Sequence, residues 1–363
     1  MFDLDDAPEP VPSRPASPKW PYALVALFLT IGVLVLLAWP VKLPYYAMSP
    51  GPVEDVADLV VIRDVPRYDS EGAFYLLTVS LRGEVNPFEW LEAKYFDTQI
   101  DLVPADVIRP PGVTQEQVTR SNQDAMNESI DSAIYVALHR LGYDVQFAGD
   151  GVKILDVVAD SPAQGALQVD DIITRVDGTD VHTVDEASAR IREFTPGDTI
   201  TLEGTRAGEP LTVSITLIEH PDIPGAAMVG IVLDTVNLRL DLPIDVSVDP
   251  GNIGGPSAGL EFTLTVLDLL TPGDLTQGHV IAGTGTIRFD ETVGPIGGVR
   301  QKVYAARSIG AEVVFVPRDN YPDAITAADD AIVVVAVDTL QDALDYLDTL
   351  QPAPAMVAAA PGP

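Results

Sequence analysis

A serine and a lysine in this chain stand in contexts suited to chemistry. Ser257 lies in Gly254-Gly255-Pro256-Ser257-Ala258-Gly259, followed by a nearly breaker-free run from Leu260 to Leu270. That pattern puts the serine on a glycine-rich turn opening a helix. Its hydroxyl is exposed there, and the first N–H groups of the helix face any negative charge that develops beside it. Pro256 has no N–H, so oxyanion donors must come from Ser257 itself or from neighbours such as Gly255. Lys302 ends Pro295-Ile296-Gly297-Gly298-Val299-Arg300-Gln301-Lys302. On a helix starting near Gly298, the residues Val299, Lys302, Ala306 and Ile309 share one stripe, with Arg300, Gln301, Arg307 and Ser308 off it. A lysine in apolar surroundings loses hydration, its pKa falls, and its neutral amine can act as a general base. A serine served by such a base needs no histidine.

Each feature alone has a plainer explanation. Glycine-rich turns before helices often serve packing or phosphate binding, and a lysine on an apolar stripe commonly reaches out to solvent. Gly255 to Gly259 also fits the nucleophile elbow of α/β-hydrolases, which requires a later acid and then a histidine. Only His279 follows the serine, where the chain approaches its next strand, and that leaves too little chain for such a fold.

Taken together and in order, the two segments resemble the proteolytic domain of the Lon family. The family's serine sits in a Gly-Pro-Ser-Ala-Gly turn, and its lysine ends a Pro-Ile-Gly-Gly-(Leu/Val)-x-x-Lys segment forty-odd residues later. Between them, Gly283-Thr284-Gly285-Thr286-Ile287 resembles the family's Thr-Gly-Glu-Ile strand, with Thr286 replacing the acidic residue. The resemblance implies a Ser257–Lys302 dyad oriented by Thr284, and a homo-oligomeric ring, with a hexamer expected. No Gly-x4-Gly-Lys-(Ser/Thr) string occurs, so the chain shows no P-loop, and cleavage without ATP is the expectation.

Composition narrows the chemistry further. The chain has no cysteine, which excludes disulfides and thiol catalysis, and its four histidines show no ligand spacing. No metal or other cofactor is expected. A net charge of −33 argues against nucleic acid as a partner. Tyr22 to Trp39 is an apolar run interrupted only by Thr30 and Gly32, edged by Trp20, Tyr22 and Trp39, and about long enough to span a bilayer core. Arg14 and Lys19 precede it and Lys42 follows, a bias that places the N-terminus in the cytoplasm and the rest outside it. A cleaved signal peptide is the competing reading, although the run is long for one and Pro40 to Pro44 lacks a small-x-small site.

The middle of the chain reads as a β-rich unit. Strands are expected at 152–158, 170–178, 199–202 and 211–217, a short helix at Ser161-Pro162-Ala163, and a longer one over 184–194. The order of Asp-Ser-Pro-Ala, Asp-Ile-Ile and Val-Asp-Gly resembles a PDZ domain of the bacterial protease type, a module that holds extended C-termini by strand addition. Tyr143 to Phe147 is the best candidate for its carboxylate-binding loop. Upstream, the strand at 74–81 and the helix at 127–141 resemble the opening elements of the Lon proteolytic domain, so the PDZ-like unit would be an insertion. Beyond Lys302, strands at 313–316 and 332–337 precede a helix at 340–350 capped by Asp338-Thr339.

The expected fold is α+β: a Lon-type proteolytic domain with an inserted PDZ-like domain, preceded by one transmembrane helix. Its divisions are a disordered cytoplasmic tail (1–19), the anchor (20–40), the first protease part (41–144), the PDZ-like domain (145–219), the catalytic part (220–350) and a flexible tail (351–363). Two functions compete. One is a membrane-anchored Ser-Lys endopeptidase acting on extracytoplasmic polypeptides, in quality control or regulated proteolysis. The other is a catalytically silent PDZ-bearing membrane scaffold. Intact motifs around both Ser257 and Lys302 favour the enzyme.

Overall fold

The computed structural model describes residues 20–221 and 223–353, so the tail at 1–19 lies outside the described residues. The chain divides into two compact units. The first comprises the described residues up to Ser49 together with Ser80–Val113. It holds the helix Trp20–Ala38, an antiparallel ladder from Tyr45↔Pro104 to Met48↔Asp101, and the helix Pro87–Tyr95. Asn86 starts that last helix with a reciprocal capping box to Glu89, and a proline occupies its first turn, where no N–H is needed.

The expected membrane-crossing anchor is not found as such. Among the described residues no helix is long and apolar enough to cross a membrane. The helix Trp20–Ala38 has 19 residues and no acidic or basic residue in its terminal turns. At 1.5 Å per residue it reaches just under the roughly 30 Å of a hydrocarbon core.

The second unit, Pro50–Val79 with the chain from Thr114 onward, carries the candidate site. Its main sheet runs Val333–Val337, Val313–Pro317, Val280–Gly283, then this unit's parts of two further strands, 73–79 and 50–55. The first three are parallel to one another, and Val280–Gly283 is also parallel to the segment from Ala73 to Leu76. Apolar runs such as Val313–Pro317, buried at every position, suit strands covered on both faces. On one face lies the helix Gly259–Leu270, buried from Gly259 to Leu269. Packed on it is the helix Gln115–Arg140, which begins twelve residues earlier than the 127–141 helix expected from the apolar period. The extra turns start from a capping box at Thr114 and are mostly exposed, so hydrophobic spacing gives no sign of them.

The β-rich unit forms a sheet in the order Glu209–Thr216, Thr199–Arg206, Ile172–Val176, Val152–Val157, Ile231–Thr235. The last strand lies beyond the 145–219 boundary expected for the PDZ-like domain. Ala227, Val229, Ile231 and Leu233 share the apolar cluster of Val152, Ile173 and Ile200, so the unit reaches Thr235. Ser161-Pro162-Ala163 does not start a helix but a string of turns ending in a Gln164↔Leu167 bridge. The unit's two chain ends meet: Gln146–Ala148 pairs antiparallel with Arg239–Asp241, and the Asp150 N–H donates to the Val236 carbonyl at 2.9 Å. An insertion between two parts of the other domain requires this arrangement.

At the C-terminus, residues 351–353 are held rather than loose. The Ala353 N–H donates to the Gln277 carbonyl at 2.8 Å, and His279 Nε2 meets the Gln351 carbonyl at 2.8 Å. Residues 354–363 of the expected flexible tail lie outside the described residues.

Candidate active site

Ser257 is positioned by a turn held by neighbours on both sides. Gly255 has φ +94°, a conformation that side chains with a Cβ rarely adopt. Its N–H donates to the Asn122 carbonyl at 2.8 Å, and Ser129 Oγ donates to the Pro256 carbonyl at 3.0 Å. Both anchors come from the helix Gln115–Arg140. On the other side, the Ser257 carbonyl accepts from the Gly285 N–H at 2.9 Å and from Thr284 Oγ1 at 3.0 Å. The turn is thus clamped between a helix that precedes the β-rich insertion and a strand end that follows it.

Lys302 comes from the second turn of the helix Val299–Ser308, started by Gly298 at φ +68°. It is only 2% exposed. Its Nζ lies 2.6 Å from Ser257 Oγ and 2.8 Å from Thr284 Oγ1. Thr284 spends its hydroxyl hydrogen on the Ser257 carbonyl, so its oxygen accepts from the amine. In the neutral amine, that leaves the nitrogen lone pair free to face the serine hydroxyl; in the ammonium, Nζ donates to Ser257 Oγ. Burial holds the Lys302 pKa down at about 8, against the opposing pull of Glu261.

The expected stripe is partly right. Val299, Lys302 and Ala306 are buried, but Ile309 lies past the helix end and is exposed, while Gln301, placed off the stripe, is buried. His279 is engaged elsewhere, with Nδ1 at 2.8 Å from a Glu312 carboxylate oxygen. Gly255 does not have a free donor to offer an oxyanion, since its N–H is committed to Asn122. The Ser257 N–H has no partner among the described residues, and the buried helix Gly259–Leu270 begins two residues later. Ser257 opens onto a cleft of about 670 Å³ lined by Pro52, Leu76, Thr78, Asn252 and Lys302 among others. A residue that sequence reasoning missed is Glu261, fully buried four positions after the serine. A glutamate next to an apolar run reads as a surface residue unless its surroundings are known.

The β-rich unit leaves one edge of its sheet open. Ile231–Thr235 is its edge strand, paired among the described residues only with Val152–Val157. The helix Val184–Arg192 packs beside it, and the Val184 N–H donates to Thr235 Oγ1 at 3.1 Å. The segment Ala227–Gly230 leads into this strand, with Gly230 at φ +86° against Ser161. Tyr143 to Phe147, the expected carboxylate-binding loop, is elsewhere. Phe147 stacks on Tyr135 of the helix Gln115–Arg140 and meets Phe289 edge-on.

With this geometry in place, family comparison assigns both regions. Residues 238–347 match the model of the Lon protease (S16) C-terminal proteolytic domain, and residues 139–217 match that of the PDZ domain. The region holding Ser257, Thr284 and Lys302 is thus a serine peptidase domain. Among relatives, the Lon protease of Mycolicibacterium smegmatis is 31% identical over 129 residues, 35% of this chain and 16% of that protein. Lon protease 2 of Bacillus subtilis is 33% identical over 111 residues, 31% of this chain and 19% of that protein. The chain therefore spans less than a fifth of the length of either. The PDZ domain of an SdrC-like protein from Listeria innocua is 32% identical, covering 23% of this chain and 93% of that chain, at a TM-score of 0.22.

Proposed function

We propose that this chain is an ATP-independent serine endopeptidase in which Lys302 deprotonates Ser257. The observation that carries the reading is the 2.6 Å approach of a buried amine, with a pKa lowered to about 8, to a serine hydroxyl facing an open cleft. Ser257 Oγ attacks the peptide carbonyl while its proton passes to Lys302 Nζ. The oxyanion is met by the Ser257 N–H at the start of the buried helix. Lys302 then returns its proton to the leaving amine, and water, deprotonated by the same amine, releases the acyl group. Thr284 keeps the amine in line throughout.

Substrates are polypeptides selected in part by their C-termini. A terminal segment would add as a strand to the open edge of Ile231–Thr235, beside the helix Val184–Arg192, with its carboxylate at the N–H groups of 229–231. The apolar segment 20–40 attaches the protein to a bilayer, with the catalytic unit on the extracytoplasmic side and proteins of that compartment as targets for quality control or regulated cleavage. What supports attachment is an uncharged helix whose Leu24, Phe28, Leu34 and Leu37 side chains are exposed. Assembly into a homo-oligomeric ring, a hexamer, completes the proposal. Nucleic acid is not a partner of so acidic a chain.

The test is cleavage of casein and a fluorogenic peptide by the protein and by Ser257→Ala. Loss of turnover in the variant, with an unchanged melting transition, supports the dyad. Equal turnover in both would point to a contaminant or a different nucleophile, and no turnover in either would favour the silent scaffold.

A further inference from the structure

Beneath the dyad lies a carboxyl group that the mechanism has not used. Glu261 projects from the first turn of the helix Gly259–Leu270, one helical turn after Ser257, and is 0% exposed. Neither carboxyl oxygen has a hydrogen-bond partner among the described residues. Buried carboxyls normally find donors, because leaving one without costs the full desolvation of the group. The space the carboxyl fills is also specific. It lies against Gly283, where an added Cβ would stand 1.6 Å from Glu261 Oε1. Gly283 immediately precedes Thr284, whose hydroxyl accepts from Lys302 Nζ. The carboxyl therefore occupies a buried compartment directly behind the residue that holds the catalytic amine.

We propose that Glu261 is a positioning residue whose buried carboxyl is the electrostatic partner of Lys302 and fixes the pH at which the Ser257–Lys302 pair becomes competent. This rests on the peptidase reading of the site and deepens it. Burial drives the Glu261 pKa well above the ordinary carboxylate range, and the Lys302 charge pulls it back; the Glu261 charge in turn favours protonated Lys302. The elements packed on the glutamate's helix are the helix Gln115–Arg140, the 3-10 turn Val56–Asp58, and the strands Val60–Arg63, Val280–Gly283 and Thr286–Ile287. Their charged groups include Glu128, Asp131, Asp58 and Arg63, and Asp268 stands at the far end of the helix itself. None of these acts on the Glu261 carboxyl, whose one charged partner is Lys302.

Burial favours the uncharged form of each group, while their mutual attraction favours the charged pair of ammonium and carboxylate. Only the amine can accept the serine proton. A carboxylate in reach of Lys302 favours the ammonium and delays activation to higher pH. The same group stabilises the ammonium formed when Ser257 attacks.

The experiment is the pH profile of kcat/KM for the full chain and for Glu261→Gln, which keeps shape and removes charge. The acid limb should move to lower pH by about one unit, and the plateau rate should fall several-fold. Glu261→Met, apolar and of similar length, guards against a folding effect of a buried amide and should move the limb the same way. A limb that stays in place in both folded variants, with only the plateau changed, would overturn the proposal and leave Glu261 a packing residue. Absence of activity in the unaltered protein would instead overturn the peptidase reading, so the two failures are distinct.

Discussion

Lys302 owes its chemistry to where its nitrogen lies. Burial on the helix Val299–Ser308 removes water from the amine and lowers its pKa to about 8. The base form therefore grows as pH rises through about 8, and kcat/KM should climb across that range before levelling off. Lys302→Arg should lose at least a hundredfold in kcat, because a guanidinium keeps its proton; a variant with most of its rate would show that another group activates Ser257. The same shift acts on stability. A lysine whose folded pKa lies below the unfolded value near 10.4 makes stability fall as pH drops from about 10.4 to about 8. Lys302→Met removes that dependence, and below pH 8 it should melt higher than the unaltered protein, an outcome that calorimetry at pH 7 checks. At this scale much was legible. Ser257 and Lys302 sit in short local motifs whose glycines and proline dictate their own turns. Glu261 was not legible, since the carboxyl packs against Gly283, more than twenty residues away, and no local pattern announces it.

Among the elements, the helix Gln115–Arg140 does more for the site than its polar composition suggests. It presents the Asn122 carbonyl and Ser129 Oγ to consecutive residues of the turn that carries Ser257. Ser129→Ala removes one of these holds and should cost about 1 kcal/mol of stability, the net worth of a typical hydrogen bond. It should lower kcat more than it raises KM, because the turn loosens while the cleft remains. A larger effect on KM would mean that the serine reads substrate instead. The strand end at Gly283 offers a second probe. Gly283→Ala should destabilise strongly through contact with Glu261, and Glu261→Ala should relieve it, so the two changes together should cost less than their sum. Element types were mostly readable from apolar period and caps. The strand Ile231–Thr235 was not assigned to the PDZ-like unit, because pairing with a strand some eighty residues earlier follows from tertiary contact alone. The start at Gln115 was missed because exposed turns carry no apolar rhythm.

For the whole molecule, the antiparallel pair of Gln146–Ala148 with Arg239–Asp241 defines where the β-rich insertion can be removed. Replacing residues 150–236 with a short Gly-Ser linker should leave small-peptide cleavage largely intact and reduce cleavage of protein substrates several-fold. If peptide cleavage rises instead, the unit acts as a plug, and if all activity and the melting transition vanish together, it supports the fold. Order of synthesis adds a consequence. The strand beginning at Ala73 pairs with Val280–Gly283, and Lys302 follows later still. A ribosome must therefore release nearly the whole chain before the central sheet can close and the amine can reach the serine. The inserted unit, complete by Thr235, has its strands available much earlier and should fold first. A nascent chain would then carry the open sheet edge of the inserted unit well before Lys302 can reach Ser257, so under the proposed function the protein is silent while it is being made. Pulse-labelled hydrogen exchange on refolding chains, with protection in 152–235 preceding protection in 259–283, is the expected signature.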